Sequence, residues 1–256
     1  MTKYMTNINS YSIILPTLNE SGHIKELIYD VAKNFNKTDI RYEIIIVDDN
    51  SKDGTCEIIE KINNKNLILI HRINKKPSLV DSLNDGIKKA KYKNIIWMDA
   101  DYSHPPKYIK KFIYLRKKLN LDTLIFSRFL KKSIRHYSTI RYKFFLIEYF
   151  SVLLNFLSQK ILFKDITDYT SGFICINKKY LPKNLNGYYG DYFINLVVNL
   201  KIKKNSITEI PFIEQKRKTG FSKTHKNKFK FIVFCLFYLK TIIKCYIRIQ
   251  YNKHIK

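Results

Sequence analysis

The sequence predicts an α/β fold: a mostly parallel sheet with helices on both faces. Two observations carry this prediction. Short apolar runs that read as buried strands alternate with segments whose apolar residues recur at helical spacing. Polar clusters, mostly acidic, follow several of those runs, where a parallel sheet would present its carboxyl ends to a ligand.

Tyr11 to Leu15 is the first strand, broken by Pro16 and followed by Asn19-Glu20-Ser21-Gly22. Ile24, Leu27, Ile28 and Val31 then mark a helix. Tyr42 to Val47 repeats the unit, ending in Asp48-Asp49-Asn50-Ser51, with Asp53-Gly54-Thr55 opening a helix through Ile58, Ile59 and Ile62. Leu67 to Ile70 is a third strand, Leu79 to Ala90 a helix, and Asn94 to Met98 a fourth strand that delivers Asp99-Ala100-Asp101. Pro105-Pro106 suits a helix start, the helix running through Ile109, Phe112, Ile113 and Leu115. Thr123 to Phe126 is a fifth strand, and Arg141 to Phe163 a long amphipathic helix with polar breaks at Glu148, Asn155 and Gln159. A strand to Ile176, a helix around Tyr192 to Leu200 and a strand from Ile207 to Phe212 complete the pattern.

A chain of 256 residues buries a full core, read as one domain over 1–225 with a basic amphipathic tail over 226–256. Cys56, Cys175, Cys235 and Cys245 lack C-x-x-C spacing, which argues for packing roles and against zinc or a disulfide framework. Met1 to Ser10 has no apolar run with a cleavage site, so a cytosolic location is expected. The net charge is +26, and Lys201 to Lys256 holds 15 Lys or Arg against Glu209 and Glu214, which points to an anionic partner near the C-terminus. Phe231 to Leu239 is continuously apolar but shorter than the roughly 20 residues that span a bilayer. Its helix either lies in the headgroup layer of a membrane or packs on the core.

Asp99 and Asp101 form a D-x-D triplet. In extended backbone both face one side and converge on a hard divalent cation, while Ala100 points away. Neither G-x-G-x-x-G nor G-x-x-x-x-G-K-[ST] occurs, which disfavours a dinucleotide fold or a P-loop.

Pro16-Thr17-Leu18-Asn19-Glu20, Asp48-Asp49-Asn50-Ser51, Asp99-Ala100-Asp101-Tyr102-Ser103-His104-Pro105-Pro106, Asp168-Tyr169-Thr170-Ser171-Gly172-Phe173 and Arg217-Lys218-Thr219-Gly220-Phe221-Ser222-Lys223 follow one another in order. Over residues 11 to 225 the chain resembles the dolichol-phosphate mannose synthases of glycosyltransferase family 2. The resemblance implies a GT-A fold, a nucleotide-sugar donor such as GDP-mannose or a UDP-sugar, Mg²⁺ or Mn²⁺, and a polyprenyl phosphate acceptor at the cytosolic membrane face. By position, Pro16, Leu18, Glu20, Val47 and Asp49 would line the nucleotide pocket. Asp99, Ala100 and Asp101 would meet metal and diphosphate, Ser103 would add a metal-side oxygen, and Arg128, Arg217 and Lys223 would bind phosphate.

Each assignment has a structural competitor. Asp48, Asp49 or Glu20 can cap the following helix, Asp53-Gly54 can be an ordinary turn, and Arg217 and Lys223 can sit on a solvated basic loop. His104 reads as structural. The sequence departs from the family pattern at Leu18, where Tyr is usual, at Ser78-Leu79-Val80, where Gly-Leu-Gly is usual, and at Asn195, where an acid is common and Asp191 lies near.

The expected reaction is inverting hexosyl transfer, with mannose foremost, to polyprenyl phosphate. One rival is transfer to a sugar hydroxyl in cell-surface polysaccharide synthesis, which needs Asp168 or Asp191 as base. The other is a catalytically silent, basic membrane-binding protein. The carboxylates at the strand ends would repel a nucleic-acid backbone, and no nucleic-acid partner is expected.

Overall fold

A computed structural model describes residues 10–134, 142–215, 218 and 228–254. The strands are β1 (Ser10–Thr17), β2 (Arg41–Asp48), β3 (Leu67–His71), β4 (Asn94–Trp97), β5 (Thr123–Ser127), β6 (Ile174–Asn177) and β7 (Ile207–Pro211). The helices are α1 (Ile24–Lys33), α2 (Thr55–Glu60), α3 (Leu79–Lys89), α4 (Tyr108–Leu119), α5 (Tyr142–Ile161), α6 (Tyr192–Ile202) and α7 (Lys228–His254). One sheet takes the order β3-β2-β1-β4-β6-β5-β7. β6 alone runs antiparallel, between β4 and β5.

Alternate strand residues feed two cores. Ile13, Leu15, Ile44, Ile46 and Ile96 point to the layer of α1, α2 and α4. Ile14, Ile45, Val47, Ile95 and Trp97 point to the layer of α3, α6 and α7. Both sheet faces are therefore dry, which is why the strands read as unbroken apolar runs. Gly86 on α3 is required by this packing, because a Cβ there would lie 2.6 Å from the Ile14 side chain.

Pro16 does not break the first strand as the sequence suggests; β1 continues through it to Thr17. The Ile14 carbonyl accepts from Met98 N–H, so even-numbered residues of β1 face β4. The β4 register ends at Ile14 and Trp97, and Pro16 stands beyond it, where no ladder bond is lost. Pro105 and Pro106 form a turn ahead of α4 instead of its first residues, their carbonyls accepting from Tyr108 and Ile109 N–H.

The tail helix α7 is bound to the body of the protein. Ile242, Cys245 and Ile249 belong to the core on the α6 side, and the Thr241 hydroxyl donates to Asp191 Oδ2 at 2.9 Å. Ile232, Leu236, Ile243, Tyr246 and Ile247 are exposed on its other side. No helix among the described residues is long and apolar enough to cross a membrane. All four cysteines are free and buried.

Candidate active site

Three loops meet at the carboxyl ends of β1, β2 and β4. The loop after β1 is stapled to the one after β2: Asn19 N–H donates to Ser51 Oγ at 2.7 Å, Lys52 N–H to Asn19 Oδ1 at 2.8 Å, and Ser21 N–H to Asp53 Oδ2 at 3.0 Å. His23, 2% exposed, links the first loop to the D-x-D turn by donating through Nε2 to the Ala100 carbonyl at 2.8 Å. The same nitrogen lies 3.3 Å from Glu20 Oε2. Neither His23 nor this coupling was singled out from sequence, because a lone histidine in a helix-start segment carries no signal.

Asp99 and Asp101 do not converge by strand alternation. β4 ends at Trp97, and the backbone bends from Ala100 to His104, with Tyr102 at φ +68°. The bend is held by side chains: Asp99 N–H donates to His104 Nδ1 at 2.9 Å, and Ser103 N–H to Asp101 Oδ1 at 2.9 Å. His104 is structural, stacked on Phe173 with centroids 4.8 Å apart. Asp99 is half-buried and Asp101 is 4% exposed. Burial, and next the nearby Asp99 carboxylate, push the Tyr192 phenol well above its ordinary range. The Gly172 loop enters here at φ +65°, where a Cβ would lie 3.7 Å from the Tyr192 hydroxyl.

Of the pocket residues read from sequence, Pro16 and Leu18 lie partly exposed at the end of β1, and Glu20 is 9% exposed. Val47 is fully buried in the core, its side chain beneath Gly86 and away from the rim. Val80, where the family pattern has glycine, also turns into that core. Asp49 is held by Arg72, which sequence reading missed. The Arg72 guanidinium is 3% exposed and reaches Asp49, Asp81, Asp85 and the Ser82 hydroxyl. Ser78 N–H also donates to Asp49. Burial raises the Asp49 carboxyl above its ordinary range, with Ser78 N–H and Arg72 opposing.

Arg128 is clamped by Asp168: its Nε and Nη2 reach the two carboxylate oxygens, each at 2.9 Å. Burial opposes both charges, and the pair outweighs it, so Asp168 is held below the usual carboxylate range and Arg128 is raised. Asp191 accepts from Tyr188 and Tyr189 N–H and from Thr241. Asn195, where an acid was expected, donates to the Asn186 carbonyl. Arg217 and Lys223 lie outside the described residues. Of the residues around them, Gln215 N–H donates to the Ser103 carbonyl and Lys218 N–H to the Asp101 carbonyl, both at 3.2 Å.

A single seven-stranded sheet of this order between two helical layers, with an acidic turn at the end of its central strand, is the architecture of the GT-A fold. The chain belongs to glycosyl transferase family 2, whose model matches residues 12–185. A dolichol-phosphate mannosyltransferase of Pyrococcus furiosus is 29% identical over 213 residues, 83% of this chain and 58% of that protein. An undecaprenyl-phosphate 4-deoxy-4-formamido-L-arabinose transferase of Proteus mirabilis is 27% identical over 108 residues, 41% of this chain and 33% of that one. This chain thus spans under two thirds of either relative's length. Glucosyl-3-phosphoglycerate synthase of Mycobacterium tuberculosis, crystallised with Mn²⁺ and UDP, superposes with a TM-score of 0.67 at 13% identity, covering 93% of this chain and 80% of that one. At that identity the likeness is one of fold.

Proposed function

We propose that the protein transfers a hexosyl group, mannose foremost, from GDP-mannose or a UDP-sugar to a polyprenyl phosphate at the cytosolic face of a membrane. The observation that carries the choice of acceptor is the commitment of both candidate bases. Asp168 is fully buried against Arg128, and Asp191 is 2% exposed with three hydrogen bonds to its carboxylate. A sugar hydroxyl needs a base. A phosphate monoester, with its second pKa of about 6, is already an anionic nucleophile at neutral pH. The names of the Pyrococcus and Proteus relatives support the same acceptor class.

In this reading the acceptor oxygen attacks the anomeric carbon as the nucleoside diphosphate leaves, with inversion. Asp99 and Asp101, with Ser103 beside them, would hold Mg²⁺ or Mn²⁺, and an all-oxygen donor set suits such hard cations. The bound ion supplies charge neutralisation to the departing diphosphate. Pro16, Leu18, Glu20 and Asp49 bound the donor side, and Arg128 meets phosphate from the β5 end. By their place in the sequence motif, Arg217 and Lys223 would add cationic charge toward the diphosphate.

The exposed side of α7 supplies the membrane contact. Ile232, Leu236, Ile243 and Ile247 form one stripe by helical spacing, flanked by exposed Lys240 and Lys244.

The test of function is transfer of label from GDP-[¹⁴C]mannose and labelled UDP-sugars to polyprenyl phosphate. A mild-acid-labile lipid product is expected. Label appearing only in oligosaccharide would overturn the acceptor assignment.

A further inference from the structure

We propose a second cation site in this protein, formed by Asp48, Cys56 and His71, that takes a borderline-soft ion of the Zn²⁺ class and is separate from the all-oxygen Asp99–Asp101 turn. The three residues close β2, open α2 and close β3, respectively. One oxygen, one sulfur and one nitrogen from them lie within 4.8 Å of one another.

The convergence is imposed by the fold. Asp48 and His71 are register partners on neighbouring parallel strands, which sets His71 Nε2 3.7 Å from Asp48 Oδ1. Tetrahedral zinc at ordinary bond lengths separates its donors by about 3.3–3.8 Å. A nitrogen–oxygen pair falls at the short end of that range, about 3.3 Å, so a closure of about 0.4 Å brings these two atoms to ligand spacing. Cys56 reaches toward the same carboxylate from α2, its Sγ within 4.8 Å of the Asp48 and His71 donor atoms.

The carboxylate has room for the role. Oδ2 accepts from Thr17 Oγ1 at 3.1 Å and Ser51 Oγ at 2.5 Å, whereas Oδ1, the oxygen facing His71, accepts from Ser51 N–H at 2.9 Å. An sp² oxygen keeps a second lone pair. Access is provided by His71, whose side chain is 31% exposed, while Asp48 is fully buried and Cys56 is 6% exposed.

The donor set decides the metal. Thiolate and imidazole favour Zn²⁺ or Co²⁺ over Mg²⁺ and Mn²⁺, which prefer oxygen. Burial, and next the adjacent Asp48, push the Cys56 thiol up to about 12, so it stays protonated without a metal. Binding replaces the S–H bond by an S–metal bond and releases that proton to solvent. The sequence gives no hint of this, because the spacings 48, 56 and 71 match no zinc motif. A bound ion would tie β2, α2 and β3 together beside Asp49.

The test uses purified full-length protein in excess Mg²⁺, titrated with Co²⁺ and then Zn²⁺. One equivalent of Co²⁺ is expected to produce a near-ultraviolet thiolate-to-cobalt charge-transfer band that Zn²⁺ abolishes. Zn²⁺ at a hundredfold excess over its dissociation constant should raise Tm by about 5 °C. Cys56→Ser should lose the band, and His71→Asn, at a partly exposed position that leaves the core intact, should weaken binding at least tenfold. Absence of the band, its survival in Cys56→Ser, or unchanged binding in His71→Asn would each overturn the proposal. None of these readouts depends on glycosyl transfer, so they stand or fall apart from the proposed activity.

Discussion

Arg72 and Asp49 form a buried ion pair that joins the end of β3 to the loop after β2, their side chains 3% and 7% exposed. The pair fixes from behind a residue of the proposed donor pocket. Asp81 and Asp85 on α3 hold the far side of the same guanidinium, so one arginine ties the β2 loop to the start of that helix.

Arg72→Ala is expected to lose about 3–5 kcal/mol of stability at neutral pH, since it strands a buried carboxylate. The Asp49 pKa is already raised in the folded state, so its protonated form favours folding and that contribution fades as pH rises through the folded value. The penalty of Arg72→Ala should therefore shrink in mild acid, where Asp49 needs no counter-ion. Arg72→Lys should fall between, keeping charge and losing the fork. Urea unfolding at pH 5 and pH 7.5 checks both; equal penalties would refute the coupling.

Asp99→Asn and Asp101→Asn should each reduce turnover at least 10²–10³-fold, the scale seen when a group that stabilises transition-state charge is removed. They differ in stability. Asp101 also accepts from Ser103 N–H in the bend; Asn keeps an accepting Oδ1 but loses the charge assistance, so Asp101→Asn should cost at most about 1 kcal/mol, whereas half-buried Asp99→Asn should melt as wild type. Initial rates with labelled donor and thermal melts separate the effects. Activity within tenfold of wild type in either variant would count against the site.

The Arg128–Asp168 pair responds to pH in the opposite sense. Asp168 is held below its ordinary range, so its contribution is complete above the unfolded carboxylate pKa of about 3.9 and is lost only as pH falls through the lower folded value. Asp168→Asn should destabilise by about 3–5 kcal/mol at pH 7 and equally at pH 5. Chemical unfolding across that interval measures it; a penalty that halves by pH 5 would contradict the assigned pairing.

These residues also mark how far the sequence could be read. Each strand was legible because both sheet faces are buried, so Ile44, Ile45, Ile46 and Val47 read as one run. The reversed direction of β6 was not, since pairing direction leaves no trace in a four-residue apolar run. The acidic turn at Asp99–Asp101 was visible as a motif, while its bend depends on His104, whose role appears only once Phe173 packs against it. Arg72 escaped because nothing local marks it; the hint was Asp81 and Asp85, four apart on one helix face, awaiting a cation. Asp168 read as a candidate base, and the fold gives it Arg128 from 40 positions away.

The exposed stripe of α7 makes the membrane proposal separable from folding. Ile243 and Ile247 are 59% and 61% exposed, whereas neighbouring Ile242 is 2% exposed in the core. Inserting two isoleucines into the acyl boundary is worth roughly 1.5–3 kcal/mol each, and each lysine near an anionic surface about 1 kcal/mol. Ile243→Glu with Ile247→Glu should weaken binding to vesicles containing anionic lipid at least tenfold, with the melting curve unchanged. Lys240→Glu with Lys244→Glu should weaken it by a smaller factor that vanishes at high salt. Ile242→Glu, by contrast, should lower Tm before any question of lipid arises. Co-sedimentation of both surface variants at wild-type levels would show that α7 serves the fold alone and that another surface meets the membrane.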